Sequence, residues 1–291
     1  MDYGIRPPAF RLPHETWVGV VRLQVGNLQQ SLEYYDHVLG LTAVARTAAT
    51  AALGPRGGDR VLVELHERHG ARPVPRGGAL GLFHFAILLP DRASLGRFVA
   101  HLQEIRIAAG MSDHLVSEAV YLSDPDGLGI EVYADRPRAS WQRDSGRQLM
   151  MTTMPLDLPN LLKAAGDARW DGMPAGTVMG HVHLHVGDLA AAESFYHAGL
   201  GLDKMVWTYP GALFLSAGGY HHHLGTNTWS SGAPARDEDA RLLSWELVVP
   251  CDIDTDAVAG SLTSRGYTAD RDADAIATAD PWGTRLRIVA A

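Results

Sequence analysis

Fourteen histidines accompany a single cysteine, Cys251, so any metal or acid–base chemistry must be built from imidazole and carboxylate rather than thiolate. Two histidines sit in apolar stretches: His84 in Phe83-His84-Phe85-Ala86-Ile87-Leu88-Leu89, and His181 at the head of Val182-His183-Leu184-His185-Val186. Glu131 is the one carboxylate in Gly129-Ile130-Glu131-Val132-Tyr133. If that segment is a buried strand, an unpaired carboxylate is costly there and requires a cation or hydrogen-bond donors. One histidine on an apolar strand is more often a satisfied core residue than a ligand, so the positions these groups share decide the matter. The run His221-His222-His223 can give and take protons near neutral pH. Its bland alternative is a solvated surface run or an adventitious metal binder.

The elements that must position these groups repeat along the chain. Val21-Arg22-Leu23-Gln24-Val25-Gly26-Asn27-Leu28 recurs as Val182-His183-Leu184-His185-Val186-Gly187-Asp188-Leu189, offset by 161 residues. The overlay continues without a gap, placing Tyr34-Tyr35 on Phe195-Tyr196 and Leu39-Gly40-Leu41 on Leu200-Gly201-Leu202. Each copy reads as an alternating strand, an Asn or Asp helix start, an amphipathic helix and a Gly stop. Weaker copies begin near Phe83 and Ser244. Aligning Asn27, Asp91, Asp188 and Asp252 as helix starts puts Val20, His84, His181 and Trp245 in one repeat position, with a spacing of 64 inside each half. Two modules end alike, in Asp124-Pro125-Asp126-Gly127 and Asp280-Pro281-Trp282-Gly283. The expected organisation is an N-terminal half over 1–138, a connector over 139–176 with a helical stretch at 156–165, and a C-terminal half over 177–291.

A βαβββ module repeated four times resembles the vicinal oxygen chelate superfamily. The resemblance implies an α+β fold in which paired modules form two curved-sheet cups. In that superfamily the first strand of a module offers a metal ligand at the position of Val20, His84, His181 and Trp245. The last strand offers one where this chain has Glu131 and Arg287. The resemblance thus implies the ligand set His84, His181 and Glu131, two imidazoles and one carboxylate, as in non-haem Fe(II) sites with open positions. Mn(II) suits the same donors. These ligands come from modules two and three, so those modules must share a cup, leaving modules one and four as a metal-free pair.

The stretch from Asp113 to Gly127 is similar to the segment before the metal Glu in type I extradiol ring-cleaving dioxygenases, the catechol 2,3-dioxygenase group. There a Tyr lies ten residues before the ligand, as Tyr121 does before Glu131, and a His followed by Val-Ser, like His114, supplies a hydrogen bond. The third module's Tyr220-His221-His222-His223 resembles the family's acid–base segment. Laying Tyr121-Leu122-Ser123 on Phe214-Leu215-Ser216 places Glu131 on Leu224. Strand alternation then points His222 inward with His221 and His223 away, His223 being the replacement if a bulge shifts the register. His183 and His185 share the parity of His181, so one can approach the site. His37, His66, His69, His101 and His197 read as surface residues. The implied reaction opens the ring of a catechol-type aromatic beside its hydroxyls with O₂, with His222 as acid–base group and Tyr121 and His114 as hydrogen-bond donors.

Two other readings stay open. A glyoxalase-type lyase uses this fold with a fourth protein ligand, where the overlay has Leu224. A metal-free protein binding an aromatic drug is the other. The net charge of −8 argues against nucleic-acid and anionic-membrane partners. One cysteine and no long apolar run suggest a soluble cytoplasmic protein, with a homo-oligomer left open.

Overall fold

The computed structural model describes residues 4–291, which fold as four βαβββ modules. Module one comprises β1 (Trp17–Val25), α1 (Leu28–His37), β2 (Thr42–Arg46), β3 (Thr50–Gly54) and β4 (Val63–Glu67). Module two comprises β5 (Gly81–Leu88), α2 (Arg92–Glu104), β6 (Gly110–Asp113), β7 (Ser117–Ser123) and β8 (Gly129–Asp135). The connecting segment carries α3 (Leu158–Ala165). Module three comprises β9 (Val178–His185), α4 (Leu189–Ala192, widening into a π turn over Glu193–Gly199), β10 (Asp203–Val206), β11 (Ala212–Ser216) and β12 (Leu224–Asn227). Module four comprises β13 (Arg241–Val249), α5 (Asp252–Ser264), β14 (Asp270–Asp272), β15 (Ala275–Ala279) and β16 (Arg285–Ala290).

Local chemistry sets the module joints. Asn27, Asp91 and Asp188 each cap a helix by accepting the backbone N–H three residues on, at 2.9, 2.7 and 2.7 Å. Gly40 and Gly201, just past the first and third helices, take positive φ (74° and 96°), which a side chain would oppose. Module four departs from the alignment: α5 is capped at Cys251, one residue earlier than the expected Asp252.

The strands form two eight-stranded sheets, β14-β15-β16-β13-β1-β4-β3-β2 and β10-β11-β12-β9-β5-β8-β7-β6. Modules four and one therefore share one cup, and modules three and two share the other, as the ligand distribution required. The central pair of the second cup is β5 with β9, antiparallel. A continuous apolar core holding Tyr35, Phe85, Phe98, Phe195 and Trp245 serves both sheets.

Buried tyrosines tie one cup to the other at equivalent places. The Tyr35 hydroxyl lies 3.3 Å from Asp124 Oδ2, and the Tyr196 hydroxyl 2.9 Å from Asp280 Oδ2. Gly26 N–H also donates to Asp126 Oδ2 at 2.9 Å. The matching Asp-Pro turns are thus where each half's two modules are held together.

Candidate metal centre

One rung of the second cup lines up the chemistry. Tyr121 on β7 pairs with Glu131 on β8, Glu131 with Ala86 on β5, and Ala86 with His181 on β9. Rung neighbours face the same way, and His84 shares the face of Ala86 two residues on. His84, His181 and Glu131 therefore converge around a small residue, Ala86, with ligand atoms all within 4.8 Å of one another.

Glu131 Oε2 is 3.0 Å from His84 Nε2 and 3.3 Å from His181 Nε2. All three residues are buried. Despite the short distance, His84 Nε2 makes no hydrogen bond, so its orientation is one of convergence rather than donation. Burial pushes the His181 imidazole down to about 4, against the pull of Glu131, so it is neutral at pH 7. Burial would raise the Glu131 carboxyl, but His181 and His84 outweigh it and hold it well below the usual carboxylate range. Two imidazoles and a carboxylate in a desolvated site leave a negative charge and a buried, unpartnered ring nitrogen. That donor set fits a divalent cation.

Above the triad lies a cavity of about 240 Å³, reached by His84 and Glu131 and lined by His114, Tyr121, His183 and His222. His181 sits beneath, its ring 4.0 Å from that of His222. Phe83, Met151, Tyr209, Phe214 and Trp229 form the walls, and among the described residues no lysine or arginine lines it.

The hydrogen bonds assign protons. His114 Nδ1 is 2.8 Å from the Thr152 carbonyl, which can only accept. His114 is therefore Nδ1–H, and its Nε2 accepts from the Tyr121 hydroxyl at 2.7 Å. Burial, reinforced by Glu131, pushes the Tyr121 phenol well above its ordinary value and keeps it protonated. Burial likewise drives His222 well down, so it is neutral.

The His triplet precedes β12 and does not alternate as a strand. All three histidines are buried, and only His222 lines the cavity. His221 turns to Asp135 (Nε2–Oδ1 2.9 Å), and His223 Nδ1 accepts from Ala217 N–H at 3.2 Å. The gapless overlay also slips by one. Phe214 pairs with Gly225, which in turn pairs with His183 on β9, so Gly225 and not Leu224 holds the place of Glu131. Leu224 lies in the core. A Cβ at Gly225 would fall 2.8 Å from His183 Cγ, so no fourth protein ligand fits there.

In the other cup the earlier helix cap shifts module four by one residue. Arg22 pairs with Ser244 as His183 pairs with His84, so Ser244, not Trp245, holds the His84 position. Trp245 is buried in the core. Val20, Ser244 and Arg287 thus occupy the triad positions, and Arg22 fills that cup by pairing with Glu64 at 2.8 Å and Glu246 at 2.7 Å.

Sequence reasoning missed several neighbours of the site. Parity flagged His183 and His185, but not Asn227, which joins them: His185 Nδ1 donates to Asn227 Oδ1 (2.7 Å), and Asn227 Nδ2 donates to His183 Nε2 (3.0 Å). Met151, Thr152 and Thr153 come from the connector, which closes the cup by bonding Leu149 N–H to Met205 O on β10 and pairing Met154 with Asp113 on β6. His197, expected at the surface, is buried and bonded to the Leu202 carbonyl at 2.7 Å.

A profile described as the Glyoxalase/Bleomycin resistance protein/Dioxygenase superfamily matches residues 17–132. Catechol-2,3-dioxygenase of Bacillus subtilis (strain 168) is 45% identical over 271 residues, 92% of this chain and 94% of the relative. The chain belongs to that superfamily. Within it, the chain is a catechol-2,3-dioxygenase-like member. Solved structures share the fold at low identity. A Bacillus subtilis subsp. subtilis str. 168 protein superimposes with a TM-score of 0.66 at 14% identity, over 97% of this chain and 86% of its own. Glyoxalase I from Zea mays gives 0.56 at 16% identity, over 95% and 92%. Among the described residues no helix is long and apolar enough to cross a membrane.

Proposed function

We propose that the chain is a non-haem Fe(II)-dependent extradiol dioxygenase that opens the ring of an uncharged catechol with O₂. The observation that carries this reading is the His84–His181–Glu131 convergence at the floor of an aromatic-walled cavity whose rim supplies His222, Tyr121 and His114. The similarity to a catechol-2,3-dioxygenase over most of the chain supports it. Three protein ligands with Gly225 at the fourth place leave positions open for a second reactant, which favours this reading over a four-ligand lyase.

When bound, the metal supplies a cationic centre that lowers the pKa of catechol hydroxyls and couples the ring electronically to O₂. The chain's own residues do the rest. Phe83, Phe214 and Trp229 hold a planar ring and exclude water. His222, neutral and in the cavity wall, takes a proton from the hydroxyl and returns it as the ring opens. Tyr121, whose one O–H is held by His114 Nε2 at rest, turns that proton to developing charge on oxygen as the ring opens. Both oxygen atoms enter the product, so no external reductant is consumed. A cavity without lysine or arginine suits neutral ring substituents and leaves a carboxylated catechol unpaired. The donor set also suits Mn(II).

The test is anaerobic loading with Fe(II) or Mn(II), followed by turnover of unsubstituted, alkylated and carboxylated catechols. Iron-dependent activity on the neutral ones, lost in Glu131→Gln with the bound metal, is expected. His222→Ala should keep the metal and lose turnover. A protein that turns over catechol equally well without metal would refute the reading.

A further inference from the structure

Behind His222 stands a set of hydrogen bonds that leaves the cavity and ends at a partly exposed carboxylate. His222 Nδ1 is 2.7 Å from His221 Nδ1, and His221 Nε2 is 2.9 Å from Asp135 Oδ1 at the end of β8. His221 is fully enclosed. The same Asp135 oxygen accepts from the Tyr220 hydroxyl at 3.2 Å, and Tyr220 is bonded to the Tyr133 hydroxyl at 2.6 Å.

These contacts permit few proton placements. Two ring nitrogens facing each other share one proton. A carboxylate only accepts, so His221 gives Asp135 its Nε2–H. With that one proton on His221, its Nδ1 presents a lone pair, and the proton between the rings belongs to His222. His222 is left with Nδ1–H behind it and an unprotonated Nε2, the one nitrogen free to meet a substrate. The alternative tautomer would point an N–H at the substrate hydroxyl and could not take its proton.

We propose that Asp135 and His221 are positioning residues that lock His222 in the Nδ1–H tautomer, with its basic Nε2 directed to the catechol. The proposal rests on the reading of His222 as the acid–base group and adds what makes it a base before substrate arrives. It explains why a second histidine directly precedes His222 and is buried against an acid without reaching the cavity. The Tyr220 hydroxyl, itself bonded to Tyr133, donates to the same carboxylate oxygen and helps to hold Asp135 in place. An asparagine at 135 can turn its amide toward His221 Nε2. That places the His221 proton on Nδ1 and forces His222 to carry its own on Nε2.

The test reads the tautomer directly, by long-range proton–nitrogen NMR correlations of the full chain with ¹⁵N-labelled histidine. Zn(II) serves as a diamagnetic occupant, and His222 is assigned by its loss in His222→Ala. Expected are a protonated Nδ1 and a bare Nε2 on His222 in the wild type, reversed in Asp135→Asn and restored in Asp135→Glu. In the Fe(II) enzyme Asp135→Asn should lower kcat by on the order of 100-fold or more, with KM for catechol and iron content unchanged. A wild-type His222 protonated on Nε2 would overturn the proposal, and needs no variant to fold. So would a wild-type tautomer and kcat in Asp135→Asn. Wild-type turnover by His222→Ala would instead refute the acid–base reading, with the tautomer pattern still in place.

Discussion

Replacing Asp124 by asparagine should erase a pH signature of the tie between the two cups. Asp124 is buried beneath the Tyr35 hydroxyl; burial, with the charge of Asp126 nearby, pushes its carboxyl up from 3.8 to about 7. The native state therefore keeps a proton that the unfolded chain has already lost. Stability from this group is complete below the unfolded value and disappears as pH rises through about 7. The slope is about 1.4 kcal/mol per pH unit, or about 3 kcal/mol between about pH 5 and about pH 8. Asparagine has the shape of the protonated acid and does not titrate. Its oxygen can still accept from the Asp126 and Leu128 N–H groups, and its amide can face Tyr35. Urea unfolding of wild type and Asp124→Asn, both metal-free, across that pH range is the assay. The wild type should gain about 3 kcal/mol on the variant from the alkaline to the acid end. Parallel pH dependence of the two proteins would instead mean that Asp124 titrates alike in the folded and unfolded chain.

Two substitutions probe the floor of the cavity. Ala86→Leu sets three extra carbons between Glu131 and His181 on the central rung, so metal analysis should find the ion lost while overpacking removes only about 1–3 kcal/mol from unfolding stability; full metal content would show that the ligands do not converge over Ala86. Gly225→Ala forces the His183 ring from its bond to Asn227, so kcat/KM for catechol should fall about tenfold with metal content unchanged, and wild-type kinetics would contradict the packing.

Most of the fold was legible because the repeat is a backbone device. The caps at Asn27, Asp91 and Asp188 and the glycines at 40 and 201 recur in sequence as they do in space. The placement of histidine and glutamate on modules two and three already implied a cup that crosses the chain's midpoint. What failed did so by single residues. Asp252 looks like a cap, but Cys251 occupies that place without a side-chain bond to the helix backbone, and Trp245 was put where Ser244 stands. The turn before β12, bent at Gly218 and Gly219 with positive φ, holds one residue more than its counterpart before β8, which moved Gly225 onto the Glu131 position. Alternation could not orient a histidine run lying outside a strand, although His222 does reach the cavity. The connector's part in the wall was invisible because it depends on single bridges to edge strands, which carry no periodic signal.

A triad that serves ring opening must couple catechol to O₂ consumption. The most direct measurement is oxygen uptake by anaerobically Fe(II)-loaded protein on adding catechol, followed with the product's absorbance. One O₂ should be consumed per catechol, with a yellow product opened beside the hydroxyls. Iron bound at His84, His181 and Glu131 with no oxygen uptake across neutral catechols and hydroquinones would contradict it.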